Sequence, residues 1–227
     1  RKLEHTEHLY MIQDCVEEII VDDKNIKGIR TRLGISYFAN AVVLATGTFL
    51  KGKVVIGDVA YSAGRQGEES AEKLSDSLRA HGIHIERYQT ATPPRLDKRT
   101  IDFSKMQELK GEEHPRYFSI FTRKERNSVV PTWLTHTTPD TIQVAKDMLK
   151  YSPIVSGIIE THGPRHCPSL DRKVINFPEK TNHQIFLELE SLDSQEVYVN
   201  GLTTAMPPFA QEAMLRTIAG LYNAKII

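Results

Sequence analysis

Ala41-Val42-Val43-Leu44-Ala45-Thr46-Gly47 is the stretch of this chain that says most about its fold. The short, continuous apolar run predicts a strand that is buried on both faces of a sheet. It stops abruptly at a turn of small residues, Thr46-Gly47-Thr48. In open α/β sheets, ligands bind beyond the carboxyl ends of the strands, where glycine lets the backbone approach a cofactor. The alternative interpretation is a core strand that ends in an ordinary turn.

Length and composition are those of a soluble globular protein. The 227 residues leave room for one large domain or two small ones. Lysine plus arginine and aspartate plus glutamate number 29 each, so no global positive charge indicates a polyanion partner.

Two cysteines, Cys15 and Cys167, are too few for a disulfide scaffold and indicate a reducing compartment such as the cytoplasm. No apolar run is long enough to span a membrane. Because it lacks an initiator methionine, we expect the chain to be cut from a longer protein.

The residues before the apolar run are typical of a β-meander. Strands are predicted over residues 9–13, 16–21, 26–32 and 35–38, with polar turns between them. A meander that leads into a buried strand with a Thr-Gly turn is found in flavoproteins with two dinucleotide-binding domains, which is an analogy of fold alone. After the run, the spacing of apolar residues predicts a helix over about residues 70–80, and residues 83–88 alternate like a short strand.

The second half of the chain begins at a stiff boundary, Thr92-Pro93-Pro94-Arg95, where two prolines exclude helix. From there to about residue 130 the pattern is weak and polar, and we expect few regular elements. Thr138-Pro139-Asp140 predicts a helix start, with a threonine cap, proline at the first helical position and an acid in the first turn. Strands are predicted over 183–189 and 196–199, and a last helix is predicted after Pro207-Pro208, with Gly220 at its end.

Gly163-Pro164-Arg165-His166-Cys167-Pro168-Ser169 concentrates the side chains most useful for chemistry. Arg165 would favour a thiolate at Cys167 or bind a phosphate. The alternative is that Cys167 is a small buried hydrophobic residue. No Cys-x-x-Cys or His-Glu-x-x-His spacing indicates a metal site, and none is predicted.

Three further segments carry weaker signals, and each has a structural alternative. Residues 61–67 could contact a nucleotide or flavin or form a surface turn, but they lack the P-loop spacing. Residues 133–138 could belong to a nucleotide pocket or place a core tryptophan beside a helix cap. Basic residues interleaved with aromatics suit RNA contact or form a solvated face; they are Arg116, Tyr117, Phe118, Phe121, Arg123, Lys124 and Arg126. No Gly-x-Ser-x-Gly elbow supports a serine hydrolase.

Seven segments, in this order, resemble the MnmG (GidA) family of tRNA-uridine-modifying flavoproteins, and the match covers essentially the whole chain. They are residues 41–50, 61–68, 92–95, 133–137, 163–169, 183–188 and 197–202. The resemblance implies a mixed α/β (α+β) fold, namely a partial flavoprotein fold with two dinucleotide-binding domains. It would comprise the β-meander, a Rossmann-type strand and an inserted α/β domain. The implied domains are 1–94, the second part of the FAD-binding domain; 95–205, the inserted domain related to NADH and tRNA; and 206–227, a helix returning toward the FAD-binding domain.

The function implied by the resemblance is modification of tRNA. Such enzymes bind FAD and NADH and, with a GTPase partner of the MnmE type, install a carboxymethylaminomethyl or aminomethyl group on C5 of the wobble uridine, U34. The resemblance further implies a cytoplasmic homodimer for the full-length protein, with flavin redox chemistry. The family's N-terminal Gly-x-Gly-x-x-Gly and its C-terminal helical region are missing here. We therefore expect a middle fragment that binds FAD weakly and is inactive alone.

The resemblance also assigns site residues. Val16 and Ser70 match positions that touch the flavin in the family, and Thr46 and Gly47 lie at the strand end beside it. Residues 163–177 match a stretch proposed to bind NAD, with Arg165 and Lys173 as phosphate partners. The cofactor-binding residues expected there are Gly163, Pro164, Arg165, His166, Cys167, Pro168, Ser169 and Lys173. Cys167 is also the candidate catalytic or redox residue.

The chain departs from the family pattern at several positions, which bear on fine geometry more than on family membership, and two alternatives stay open. His166 stands where tyrosine is usual, and Leu170-Asp171-Arg172-Lys173 stands where Ile-Glu-Asp-Lys is usual. The chain could come from a folate-dependent tRNA methyltransferase flavoprotein, which shares the fold, although the heptapeptide at 163–169 favours the first interpretation. It could also be a non-catalytic module that binds RNA or protein, and such a module would bind tRNA without any dependence on NADH.

Overall fold

Two compact units make up the chain. The computed structural model describes residues 3–112, 120–121, 130–161, 163 and 169–227. The first unit comprises Arg1–Val54 and Ala60–Arg87, and the second comprises Val55–Val59 and Tyr88–Ile227. The division after Arg87 lies near the boundary predicted after residue 94, and the assignment of either unit to a cofactor stays a prediction.

The first unit is built on the predicted meander. Strands β1 (Val16–Asp22), β2 (Asn25–Thr31) and β3 (Ser36–Phe38) form an antiparallel sheet in that order. Asp23 and Lys24 form the turn between β1 and β2 with positive φ angles of 43° and 66°. Helix α1 (Leu74–Ala80) packs on β1, and together they form a small core of Ile19, Leu74 and Leu78. Three of the four predicted meander strands are therefore confirmed.

Two predicted strands in the first fifty residues are wrong, including the one over Ala41-Val42-Val43-Leu44-Ala45-Thr46. These residues have no regular structure, and Val43 is 90% exposed. Residues 9–13 are likewise irregular and exposed. An apolar run becomes a strand only when neighbouring strands satisfy its backbone groups. Among the residues that the structure describes, no strand pairs with either segment.

A hairpin follows, formed by β4 (Lys53–Ile56) and β5 (Val59–Ser62). Its tip belongs to the second unit, where the Gly57 amide donates to the Ala205 carbonyl at 2.7 Å. Gly57 has φ +59°, and a Cβ there would lie 3.0 Å from Pro207. The strand predicted over residues 83–88 is irregular in the structure.

A five-stranded antiparallel sheet organises the second unit, in the order β6-β10-β9-β8-β7. Its strands are β6 (Arg95–Asp97), β7 (Gln107–Leu109), β8 (Thr132–His136), β9 (Gln184–Leu189) and β10 (Glu196–Asn200). The strands predicted over 183–189 and 196–199 are confirmed as β9 and β10. β6 and β7 are only three residues each, which agrees with the weak pattern between residues 95 and 130.

Three helices share the core of this sheet: α2 (Pro139–Met148), α3 (Leu170–Asn176) and α4 (Pro208–Leu215). The predicted start of α2 is confirmed, since the Thr138 hydroxyl accepts from the Thr141 amide at 3.1 Å in a capping box. The core includes fully buried side chains from both layers: Ile142, Leu170, Ile185, Leu187, Val197, Val199, Met214 and Leu215.

The last segment, residues 206–227, lies within the second unit. The predicted last helix is confirmed as α4, although it already begins at Pro208 and ends at Leu215, before Gly220. Lys225 and Ile227 then pair with β6, since the Asp97 amide donates to Lys225 and the Ile227 amide donates to Arg95. Within the described part of the chain, no helix is long and apolar enough to cross a bilayer.

Candidate cofactor-binding sites in the two units

Ser70 fastens the loop of residues 46–52 in the first unit. Its hydroxyl accepts from the Gly52 amide at 2.7 Å and donates to the Phe49 carbonyl at 3.1 Å. The Lys51 amide donates to the carbonyl of Ala71 at 3.0 Å, which joins the same two segments by their backbones. The buried hydroxyl of Ser70 is thus occupied within the protein. A contact of Ser70 with a flavin stays a prediction.

Thr46 and Gly47 lie in a turn of this same loop. The Thr46 carbonyl accepts from the Phe49 amide at 2.9 Å. Gly47 has φ +53°, and nothing lies within 4 Å of where a Cβ would stand, so its backbone faces open space. The structure therefore brings Thr46 and Gly47 onto the loop that Ser70 holds. Val16 instead lies at the start of β1, where its side chain packs against the core around α1.

Arg32 is a residue of this unit that no sequence pattern singled out. Its guanidinium donates to the Ser70 carbonyl at 3.2 Å, to Glu17 at 3.2 Å and to Glu69. It also lies 3.5 Å from the half-buried thiol of Cys15. The hydrogen bond to Glu69 raises the pKa of Arg32, which remains a cation. Arg32 thereby ties the meander to the segment that carries Ser70.

The heptapeptide at 163–169 is described only at its ends. Pro164, Arg165, His166, Cys167 and Pro168 lie outside the described residues. Gly163 is half-buried beside Gln89, whose side chain would lie 3.6 Å from a Cβ at that glycine. Ser169 is buried and caps α3, its hydroxyl accepting from the Arg172 amide at 3.4 Å.

Lys173 and Asp171 lie on the helix that Ser169 begins. The Lys173 ammonium donates to the Gly201 carbonyl at 3.4 Å, at the end of β10. Asp171 is fully buried, and the Thr204 hydroxyl donates to its Oδ1 at 2.8 Å. Burial raises the pKa of Asp171, while hydrogen bonding from Thr204, Ser169 and the Ala205 amide opposes that rise. The structure therefore places Ser169 and Lys173 on one short helix that is fastened to residues 201–204.

His183 is a second residue that sequence reasoning did not select for a role. It is 7% exposed, its amide donates to the Thr137 hydroxyl at 2.8 Å, and its Nε2 has no hydrogen-bond partner. Burial lowers the pKa of its imidazole, and the charges of Lys173 and Lys180 lower it further, against a backbone hydrogen bond at Lys180. Its only sequence signal was membership of the segment 183–188.

Acidification should destabilise the second unit through His183. Its folded-state pKa lies below the ordinary 6.5. The stability due to the neutral imidazole is therefore complete above that value and is lost as the pH falls through the folded-state pKa. Below pH 6.5, the free energy of unfolding should fall less steeply with falling pH in His183→Gln than in wild type. The difference in slope should be at most about 1.4 kcal/mol per pH unit, as measured by urea unfolding. His81→Gln, at an exposed histidine of the first unit, is the control. Parallel curves for wild type and His183→Gln would contradict this assignment.

The weaker sequence signals have mixed outcomes. Trp133 packs against the core of the second unit with its ring 4.3 Å from that of Phe103, which agrees with the core alternative. Of the basic and aromatic set, Phe121 is exposed, and the other members lie outside the described residues. No group of three or more histidine, cysteine, aspartate or glutamate side chains that could hold a metal occurs among the residues described.

The family model described as Glucose inhibited division protein A matches residues 1–227. The chain belongs to the GidA family. Among GidA relatives, the tRNA uridine 5-carboxymethylaminomethyl modification enzyme MnmG 1 of Fusobacterium nucleatum is 70% identical over all of this chain and 38% of its own length. The MnmG enzyme of Geobacillus thermodenitrificans is 44% identical, over all of this chain and 36% of its own length.

The solved structure of Aquifex aeolicus GidA agrees with this family assignment. It superposes with a TM-score of 0.89 at 42% identity, over all of this chain and 39% of the Aquifex chain. The mixed α/β fold predicted from the sequence, as part of a flavoprotein fold of this family, is thereby confirmed. The chain spans a little over a third of the length of the relatives it matches.

Proposed function

We propose that this chain is part of a FAD- and NADH-dependent enzyme that modifies C5 of the wobble uridine, U34, of tRNA. The group added would be carboxymethylaminomethyl or aminomethyl. The observation that carries the proposal is the match of the entire chain to relatives named for this modification, at 70% and 44% identity. The same match favours this function over a folate-dependent tRNA methyltransferase and over a non-catalytic binding module.

The first unit is the proposed contributor to the flavin site. The residues proposed are Val16, Thr46, Gly47 and Ser70, within the domain 1–94 that forms the second part of the FAD-binding domain. Support comes from the loop that Ser70 holds, in which Gly47 leaves an open backbone surface. Bound flavin would supply the redox chemistry, while these residues would bind and orient it.

The second unit is the proposed contributor to the NADH site, within the domain 95–205. The residues proposed are Gly163, Pro164, Arg165, His166, Cys167, Pro168, Ser169 and Lys173. Support comes from α3, on which Ser169 is the cap and Lys173 lies one turn further along. Arg165 and Lys173 would pair with the phosphates of the dinucleotide. Cys167 is the proposed catalytic thiol, favoured as a thiolate by the positive charge of Arg165.

Family membership also supports the proposed partners and setting. We propose tRNA as substrate, a GTPase of the MnmE type as partner, a homodimer for the full-length protein and a cytoplasmic location. The segment 206–227 is proposed to lead back toward the FAD-binding domain.

Titration calorimetry with NADH tests the proposed site. Wild-type chain should bind NADH saturably, and Arg165→Ala should bind at least about tenfold more weakly, because a charge-assisted hydrogen bond to a phosphate is lost. Arg216→Ala is the control, since Arg216 makes an exposed ion pair with Glu212 on the last helix of the same unit. Equal affinity in Arg165→Ala and wild type would remove the segment from the nicotinamide site.

A further inference from the structure

A buried pair of side chains fastens the helix that carries Lys173. Asp171 has no exposed surface and Thr204 is also buried, and their Oδ1 and Oγ1 atoms lie 2.8 Å apart. The Thr204 hydroxyl, which donates to Asp171, also accepts from the Met206 amide at 3.1 Å. Because the pair is excluded from water, loss of either partner leaves a buried polar group unsatisfied.

The segment to which α3 is fastened is itself held on several sides. The Leu170 amide donates to the Thr203 carbonyl at 2.7 Å, which is a second tie at the first turn of α3. The Ala205 carbonyl accepts from Gly57 at 2.7 Å, and the Met206 carbonyl accepts from the Gln211 side chain at 2.5 Å. Residues 203–206 are therefore held by several hydrogen bonds, and α3 is attached to them.

The two residues of this segment that are proposed to bind NADH lie on either side of Asp171 in the sequence. Ser169 comes two residues before Asp171, and Lys173 comes two residues after it. Ser169 caps α3 and Lys173 lies within it, so a change in the tilt of this helix would displace both residues. A displacement of about 1 Å at a binding group is enough to weaken its interactions strongly.

We infer that the Asp171–Thr204 pair positions α3 for binding of the nicotinamide dinucleotide. Neither residue contacts the ligand; the pair acts through Ser169 and Lys173. This inference rests on the proposed function, in which Ser169 and Lys173 bind NADH. It adds Asp171 and Thr204 as positioning residues; neither is among the individual site residues assigned from the sequence.

Thr204→Val tests the inference, because valine has nearly the shape of threonine but cannot donate to Asp171. We expect its dissociation constant for NADH to rise about tenfold, because a shift of α3 would move Ser169 and Lys173 away from the dinucleotide. Thr204→Ser keeps the hydroxyl and should stay within about twofold of wild type. Thr204→Ala replaces the valine variant if the latter does not fold, and the same loss is expected.

The matched control is Thr135→Val. Thr135 is buried in β8, and its hydroxyl donates to the Ala219 carbonyl at 3.1 Å. Both valine variants lose one buried hydrogen bond of the second unit, so thermal unfolding should show lower stability for each. Only Thr204→Val should weaken NADH binding.

The outcomes separate this inference from the function on which it rests. Wild-type chain that fails to bind NADH would refute the proposed site and the inference with it. If wild type binds but Thr204→Val binds equally well, the inference alone is overturned. Equal weakening by Thr204→Val and Thr135→Val, or by Thr204→Ser and Thr204→Val, would also overturn it, since the effect would then be general destabilisation or a change of packing.

Discussion

Gly52→Ala should lower the free energy of unfolding of the first unit by about 3 kcal/mol, at the upper end of what overpacking a filled site costs. A Cβ at residue 52 would lie 2.4 Å from the Thr48 carbonyl oxygen and 2.5 Å from that of Ala63. Both are backbone atoms, so neither can turn away as a side chain would. The Gly52 amide also donates to Ser70, and displacement of the loop breaks that bond.

The effect of Gly52→Ala should be read by urea unfolding followed by circular dichroism. Gly67→Ala is the matched control, because Gly67 has φ +80° but nothing within 4 Å of a Cβ. Backbone strain alone should cost about 1 kcal/mol at that position. If the two variants lose the same stability, close packing around Gly52 is not what holds this loop.

The same variant bears on the proposed flavin site. Because Gly52 and Ser70 hold the loop that carries Thr46 and Gly47, a displaced loop should weaken flavin binding by the full-length protein. Flavin content after gel filtration would measure this, with Gly67→Ala again as the control. Full flavin content in Gly52→Ala would count against a role for Thr46 and Gly47 in the site.

Arg95→Ala should lower the stability of the second unit by about 2–3 kcal/mol, because several interactions to one guanidinium are lost together. Arg95 donates to Glu190 at 2.6 Å, to the Thr92 hydroxyl at 2.6 Å and to the Pro93 carbonyl at 3.1 Å. Its guanidinium also lies 4.5 Å from the ring centre of Tyr198. The side chain is 30% exposed, so water screens these contacts only in part.

Arg216→Ala supplies the comparison for Arg95. Arg216 is 63% exposed and pairs with Glu212 at 3.3 Å, so its loss should change stability by no more than about 0.5 kcal/mol. Arg95→Lys keeps the charge but loses the planar fork, and we expect an intermediate loss. Thermal unfolding of the three variants checks the order. A loss in Arg95→Ala as small as in Arg216→Ala would show that this cluster adds little to stability.

Local sequence was sufficient to predict an element wherever residues close together in the chain supply its interactions. The capping box at Thr138 and Thr141 lies within one turn of chain, and the turn at Asp23 and Lys24 joins two strands that pair with each other. For this reason the helix start, the meander and the strands β9 and β10 could be predicted. The family was likewise readable from the order of short motifs along the chain.

Only the tertiary structure decided features that depend on residues far apart in sequence. The run at 41–46 has the composition of a buried strand, yet a strand also needs partners beside it, which no local pattern supplies. Asp171 meets Thr204 across 33 positions, Arg95 meets Glu190 across 95, and Ser70 meets Gly52 across 18. Short motifs and the family resemblance proposed the segments of the candidate sites. Which side chains hold the structure was decided by the fold, because hydrogen bonds form between neighbours in space.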